Sequence, residues 1–321
     1  MRKTATIALE GFGVPESLRW HEQALWFSDL AHGGVYRWQP GAERAEKVID
    51  IPGRAGGLGW LPDGRLLVAS MDGRVVYRLE DGNLVEHADL RDVATGPVND
   101  MVVSDTGYAY VGNFGFDYYT HARQHSDSAL YAPPGPPSAR LACIAPDGRL
   151  LSGNVELLFP NGCVITGSGT LVVAETLGLR LTEFAIADDG SICDPRMWAP
   201  LIAPWMWRGL NNPGFLGRAV RAVSKALDNP WIAKHSASPI APDGICLGSD
   251  ETIWAANALR GECVRVSRGG RILDRVRTSQ HTLSCVIAGD AGRTLFLATT
   301  PTADPVEAAM LNGGRIEVYE L

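Results

Sequence analysis

The chain has 321 residues, 45% of them hydrophobic, with 36 Gly, 20 Pro and a net charge of −7. That is enough apolar material for a large core, and too much punctuation for a helical protein. The acidic balance argues against a nucleic-acid partner, which needs clustered Lys and Arg, and no apolar run approaches the roughly 18 residues of a spanning helix, so no membrane partner is expected.

From the N-terminus, "MRKTATIALEGFG" is basic at first, but its apolar part is short and meets Glu10 too soon for a signal peptide. A cytoplasmic protein is expected. Three short apolar runs then form a first unit, "SLRW", "ALWFSD" and "VYRW". The same order returns in "GLGW", "RLLVAS", "VVYRL" and in "DMVV", "YAYVGN", "RLACIA". It returns again in "GCVI", "TLVVAE", "RLTEFAI"; in "GICL", "TIWAAN", "CVRVS"; and in "SCVI", "TLFLAT", "RIEVYEL". Successive middle runs lie mostly about 40 to 60 residues apart, the period of propeller blades. Most third runs are followed by a tight-turn pair (Asp81-Gly82, Asp147-Gly148, Asp189-Gly190, Gly269-Gly270) and a fourth strand.

Four strands in each of six units predict an all-β, six-bladed β-propeller, a single domain over residues 1–321. The sixth unit reaches only its third strand, and "TATIAL" at residues 4–9 is the spare strand that closes the ring. One interval is long because residues of about 200–237 form a helical insertion between blades four and five. There Phe215, Val220, Val223 and Leu227 fall on one helical face, and Arg218, Arg221 and Lys225 on another. It reads as a packed helix rather than a membrane-surface one, and as a lid bringing Trp205, Met206 or Trp207 to the pocket.

The six cysteines, Cys143, Cys163, Cys193, Cys246, Cys263 and Cys285, show neither CxxC nor His at zinc spacing and read mainly as buried thiols.

The tripeptide Pro-Asp-Gly occurs three times, at residues 62–64, 146–148 and 242–244. The first two copies fall between strands of one blade, at the bottom of the ring. The third immediately precedes a first strand, at the top, where first strands line the central channel. The equivalent position in all six units is held by Glu16, Gly56, Asn99, Asn161, Asp243 and Leu283. Taken singly, Asn or Asp before a strand is read first as a turn cap. Four oxygen-bearing side chains converging on one axis favour a site instead. Two carboxylates and two amides suit a hard divalent cation, Ca²⁺ before Mg²⁺, and the lack of His and Cys argues against zinc. Asp100, beside Asn99, would exchange roles with it after a one-residue slip.

Several stretches resemble the senescence marker protein/gluconolactonase/luciferin-regenerating enzyme family: "ESLRWHEQALWFSD", "NDMVVSDTGYAYVGNFGFD", "FPNGCVIT", "VAETLGLRLTEFAIADDGSI", "PDGICL" and "GRTLFLAT". The resemblance implies a six-bladed propeller with a divalent metal in its channel, usually Ca²⁺ with Mg²⁺, Mn²⁺ or Zn²⁺ as alternatives, and lactonase or related hydrolase activity. It implies Glu16, Asn161 and Asp243 as metal ligands and Asn99 as an amide near metal and substrate. Where sugar-lactone members carry an Arg two positions before that Asn, this chain has Pro97, which fits an apolar or bulkier lactone or ester better than a sugar lactone.

The chemistry expected of the slot is attack of water on a polarised lactone or ester carbonyl, with Asp243 as general base. Phe114 and Tyr118, with Phe116 and Tyr119, are candidate pocket walls on the long loop of blade three, as is Trp207 on the insertion. His121 and His125 on the same loop read as surface residues before a second metal site. Glu175 is a candidate substrate contact, weighed against an ordinary exposed loop carboxylate. The alternatives to a hydrolase are a non-catalytic calcium-binding propeller and a strictosidine-synthase-like enzyme using the same pocket.

Overall fold

The computed structural model describes residues 3–125, 127–151, 155–226, 239–289 and 292–321. Six four-stranded antiparallel sheets follow one another around an axis, each packing its first strand against those of its neighbours. Blade one runs Pro15–His21, Ala24–Asp29, Gly34–Trp38, Glu46–Asp50, and blade two Ala55–Trp60, Leu66–Ser70, Val75–Glu80, Asn83–Asp89. Blade three is Val98–Val103, Ala109–Asn113, Ala142–Ile144, Leu150–Leu151. Blade four is Pro160–Ile165, Thr170–Glu175, Arg180–Ile186, Ile192–Pro200, and blade five Pro242–Leu247, Ile253–Asn257, Glu262–Val266, Ile272–Arg277.

Blade six is built from both ends of the chain. His281–Ala288, Thr294–Thr300 and Gly314–Glu320 take Thr6–Phe12 as their fourth strand. The closure read from the sequence is the observed one. Residues before that strand reach on to blade five, where the Ala5 amide donates to the Arg277 carbonyl at 2.8 Å and the Arg277 amide to the Lys3 carbonyl at 3.0 Å. The N-terminal strand covers the edge that Gly314–Glu320 would otherwise expose.

The second strands explain the continuous apolar runs of the sequence. "LLVAS" is buried along its whole length because a blade interior packs a neighbouring blade on both faces. The core lies in the wedges between blades, such as that of Leu67, Val76, Met101 and Val111 between blades two and three. Five cysteines are buried and unpaired in such places, while Cys193 is exposed.

Every first strand is irregular at one place. Its ladder to the second strand skips between Glu16 and Arg19, Ala55 and Leu58, Val98 and Met101, Pro160 and Cys163, Pro242 and Ile245, and Thr282 and Ser284. A bulge of this kind re-aims side chains and ends regular pairing. All six fall at or beside the position singled out by the repeat.

Among the described residues, four helices sit on the loops of the top face: α1 (Tyr118–Gln124), α2 (Pro204–Leu210), α3 (Phe215–Ala226) and α4 (Pro305–Leu311). The insertion's helices pack on each other, Gly209 of α2 admitting Val220 of α3. The helical face read from the sequence is partly corrected. Phe215 is exposed, Val220 packs, and Leu227 and the side chains of Val223 and Lys225 lie outside the described residues. Arg221 is no surface cation, since its Nη1 donates to the carbonyls of Leu210 (2.5 Å) and Asn212 (3.1 Å), closing the end of α2.

Candidate metal centre

Each slot residue opens a first strand, and the residue after it shows why the strands converge there. Gly244 lies in an extended strand, and a Cβ on it would come within 2.7 Å of the Ser284 Cα of blade six. A Cβ on Gly162 would meet the Asp243 carbonyl at 2.6 Å, and one on Gly57 the Met101 amide at 2.5 Å. Asn161-Gly162 and Asp243-Gly244, which read as turn pairs, are therefore strand starts whose glycines admit a neighbouring backbone.

This packing buries the slot side chains. Glu16 is 4% exposed, Asn161 4%, Asp243 7% and Asn99 7%. Glu16 accepts from the amide of Ser17, a residue held at φ 53°. Burial, then the carboxylates of Asp243 and Asp100, push the Glu16 carboxyl well above the usual carboxylate range. Burial and the Asp100 charge do the same to Asp243, opposed by hydrogen bonds from the Asn161 side chain and the Gly244 amide. Buried carboxylates this close repel one another and lack solvation, so a bound cation would stabilise them.

Asp100 supplies a deeper layer. One oxygen accepts from the Met101 amide (2.8 Å) and from Arg19 Nη2 (2.6 Å), and the other is buried with no hydrogen-bond partner. Arg19 is in turn fixed by the Leu18 carbonyl at 2.8 Å and the Leu58 carbonyl at 3.2 Å. Arg19 thus pairs with Asp100, and its charge also opposes the rise at Glu16. Asn99 and Asp100, the two residues weighed for a one-residue slip, are both buried, and it is the Asp100 charge that acts on Glu16 and Asp243.

The two amides differ. Asn161 donates through Nδ2 to Thr176 Oγ1 at 3.2 Å, and Thr176 donates to the Pro242 carbonyl at 2.8 Å. This leaves Asn161 Oδ1 buried without a hydrogen-bond partner, an acceptor suited to a metal. Asn99 instead has its Nδ2 buried and unpartnered, a donor suited to an oxygen of a bound molecule. Among the described residues no three His, Cys, Asp or Glu side chains gather as a metal-binding group. The candidate here is a mixed set, Glu16, Asp243 and the Asn161 oxygen, and all-oxygen donors with two buried carboxylates fit a hard divalent cation.

Glu175 is not the exposed loop carboxylate weighed in the sequence. It is 0% exposed and accepts from Arg180 Nε (2.6 Å) and Nη2 (2.8 Å), the Thr182 hydroxyl (2.5 Å) and the Leu158 amide (2.8 Å). Its oxygens tie its own blade together. Equivalent places at the ends of other second strands hold Asp29 and Asn257, which bond backbone amides in the same manner.

Above the slot lies an apolar cluster drawn from nearly every blade, including Val14, Met71, Phe114, Phe159, Leu177 and Leu283. Phe114 stacks on Phe159 with ring centroids 4.3 Å apart, and Tyr118 meets Phe159 edge-on at 5.4 Å. Trp207 packs on this cluster and meets Tyr131 edge-on at 6.1 Å, whereas Trp205 is 69% exposed. The rings of His121 and His125 lie 4.9 Å apart, tilted by 41°, and His121 meets Phe116 edge-on at 6.0 Å.

The roof over the channel is chiefly the blade-three loop that carries α1, rather than the insertion alone. Tyr119 lies beneath the Arg54 guanidinium of blade two, 4.4 Å from ring centroid to Cζ. Arg123 reaches blade six, opposite in the ring, to bond Asp304 at 2.7 and 3.1 Å, and Asp304 also caps α4. Tyr131 meets the insertion. Sequence reasoning missed Arg54, Arg123 and Asp304 because each partner lies on a different blade. The signal within reach was that Arg54 stands two residues before Gly56, where the layer above the slot begins.

A six-bladed propeller with buried oxygen donors at one end of its axis and an apolar roof above them belongs to the class of channel-site propeller proteins. More narrowly, the chain belongs to the SMP-30/gluconolactonase/LRE-like family, whose model matches residues 14–203 and 219–301. Among solved structures, a gluconolactonase from Xanthomonas campestris is similar at 20% identity over 98% of this chain and 89% of that one, with a TM-score of 0.65. A luciferin-regenerating enzyme is 15% identical over 99% and 96% of the two chains, with a TM-score of 0.69. A calcium-binding protein, regucalcin, from Agrobacterium tumefaciens is 15% identical over 100% and 95%, with a TM-score of 0.70. At these identities the likeness shows the fold alone. No curated protein matches the sequence. No helix among the described residues is long and apolar enough to cross a membrane.

Proposed function

We propose that this protein is a divalent-cation-dependent hydrolase that opens a lactone or related ester. The observation that carries this reading is the buried pair Glu16 and Asp243 beside the unpartnered Asn161 oxygen, under an apolar roof. Glu16, Asp243 and Asn161 would hold the ion, Ca²⁺. When bound, the ion supplies positive charge that polarises a carbonyl and stabilises developing negative charge.

The remaining chemistry falls to the chain. Asp243 is the base that takes a proton from the attacking water, using carboxylate oxygen not engaged with Asn161 or the Gly244 amide. Glu16, held by Ser17, contributes mainly charge. The Asn99 amide nitrogen donates to an oxygen of the substrate, and Thr176 keeps Asn161 turned the right way. Phe114, Phe159, Leu177 and Leu283 exclude water and receive the apolar part of the substrate. The family membership and the gluconolactonase likeness support the reaction class, and the regucalcin likeness supports calcium.

The test is a panel of aliphatic and aromatic lactones and esters assayed with calcium and with chelator. Turnover should appear with calcium, vanish with chelator, and fall by about a hundredfold or more in Asp243→Asn, the scale of losing a general base. Metal binding without turnover of any substrate would leave the calcium-binding propeller as the better reading.

A further inference from the structure

We propose that Tyr119, backed by Arg54, is the substrate-reading donor of the roof: its hydroxyl hydrogen-bonds an oxygen substituent of the lactone or ester held over the slot. The inference rests on the hydrolase reading above and adds a selectivity to it. The pocket would take oxygenated substrates in preference to their plain hydrocarbon counterparts.

The layer directly above the slot is almost entirely apolar. Two positions before the slot residues stand Val14, Arg54, Pro97, Phe159, Ala241 and His281. Arg54 is the permanently charged member, and it is fixed in place. Asp72 engages its Nε at 2.9 Å and its Nη2 at 2.5 Å, a bidentate pair that uses one edge of the guanidinium fork. Blade two also contributes Gly56 at the slot, so no side chain from that blade's slot position stands in the channel.

Over this arrangement comes Tyr119 from blade three. Its ring takes the Arg54 cation on its face at 4.4 Å and packs on Phe114 at 5.6 Å and Tyr118 at 5.7 Å. These contacts set the ring from three sides. Tyr119 packs on the apolar cluster of Val14, Phe159 and Leu283, and burial above all raises its phenol above the ordinary value, with Arg54 opposing and the Asp243 and Glu16 charges adding to the rise. An ordinary phenol is protonated at neutral pH, and a bond from Arg54 to the Tyr119 side chain uses the hydroxyl as acceptor and leaves its proton to donate. Because Arg54 is matched by Asp72, this corner carries no net charge and suits a neutral oxygen, a hydroxyl or ether, rather than an anion. Tyr119 would touch the substrate, whereas Arg54 is a positioning residue acting through it.

The experiment compares γ-butyrolactone with α-hydroxy-γ-butyrolactone on wild type, Tyr119→Phe and Arg54→Met, with calcium present. Wild type should favour the hydroxylated lactone in kcat/KM. Tyr119→Phe keeps the ring and its packing, so it should erase about tenfold of that preference, the worth of one buried hydrogen bond, with a larger loss on the hydroxylated lactone than on the plain one. Arg54→Met should lower the same ratio by less, with the change appearing mainly in KM. An unchanged ratio in Tyr119→Phe, or an equal loss on both lactones, overturns the assignment. If wild type hydrolyses neither lactone, the same variants are compared by calorimetric titration with α-hydroxy-γ-butyrolactone. Weaker binding to Tyr119→Phe then upholds the donor independently of catalysis, and equal binding overturns it.

Discussion

Two of the three Pro-Asp-Gly stretches sit at the bottom of the ring and one at the top, and the same letters fold differently. At residues 62–64 and 146–148 the glycines adopt φ of 85° and 92°, and each donates its amide three residues back to close a turn. Asp63 and Asp147 bond the amides of Arg65 and Arg149, both at 3.1 Å, and their side chains are exposed. At residues 242–244 the glycine is extended, the aspartate is 7% exposed, and its neighbours are Asn161 and a second carboxylate layer. Hydrogen bonds from Arg65 and Arg149 lower the first two carboxyls below their ordinary value, while burial raises the third. A turn motif thus has no fixed meaning until its phase within the blade is known.

The largest expected break in this comparison comes from the glycines. Gly244→Ala places a methyl within 2.7 Å of a neighbouring backbone atom, so it should cost several kcal/mol and disturb the slot. Gly64→Ala meets open space and only the strain of positive φ, about 1 kcal/mol. Denaturant titration of both variants checks the ranking, and equal losses would show that the top glycine is an ordinary turn residue after all.

A smaller contrast lies in the pH dependence of the metal-free protein. A carboxyl raised in the fold keeps its proton where the unfolded chain has lost it. The folded state then binds more protons, and stability falls as pH rises from about 4 upward. Glu16 and Asp243 should act in that sense. Asp63 and Asp147, lowered in the fold, act in the opposite sense: their contribution is present above about 4 and is lost as pH falls through their folded values. In chelator, the Tm advantage of Glu16→Gln over wild type should therefore grow between pH 4 and pH 7, and should shrink when calcium is added. A Tm advantage that does not change with pH would contradict the buried-charge account.

Much of this was legible in the chain. The six repeats and the closure by residues 4–9 follow from counting apolar runs and reading strand phase, because blades repeat local geometry, and the same phase picks out Glu16, Asn99, Asn161 and Asp243, all of them buried. What the repeat could not carry lies between blades. Glu175 read as a loop carboxylate because its partners Arg180 and Thr182 begin the next strand, and a strand's own pattern does not reveal which face binds inward. The Asp100–Arg19 pair joins blades three and one, Arg54 and Tyr119 join two and three, and Arg123 and Asp304 join three and six. Such pairs depend on ring closure, which places residues far apart in sequence side by side. Length drew attention to the insertion, whose Trp207 does pack on the apolar cluster, while the bond of Arg123 in α1 to Asp304 of blade six gave no local signal.

The central claim is that position within the blade makes Asp243 a cation ligand. Calorimetric titration of calcium into wild type, Asp243→Asn and Asp147→Asn tests it most directly. The account predicts one calcium bound by wild type and by Asp147→Asn with matching affinity, and binding lost or weakened by about a hundredfold in Asp243→Asn. Undiminished binding in Asp243→Asn, or no binding in wild type, would contradict it.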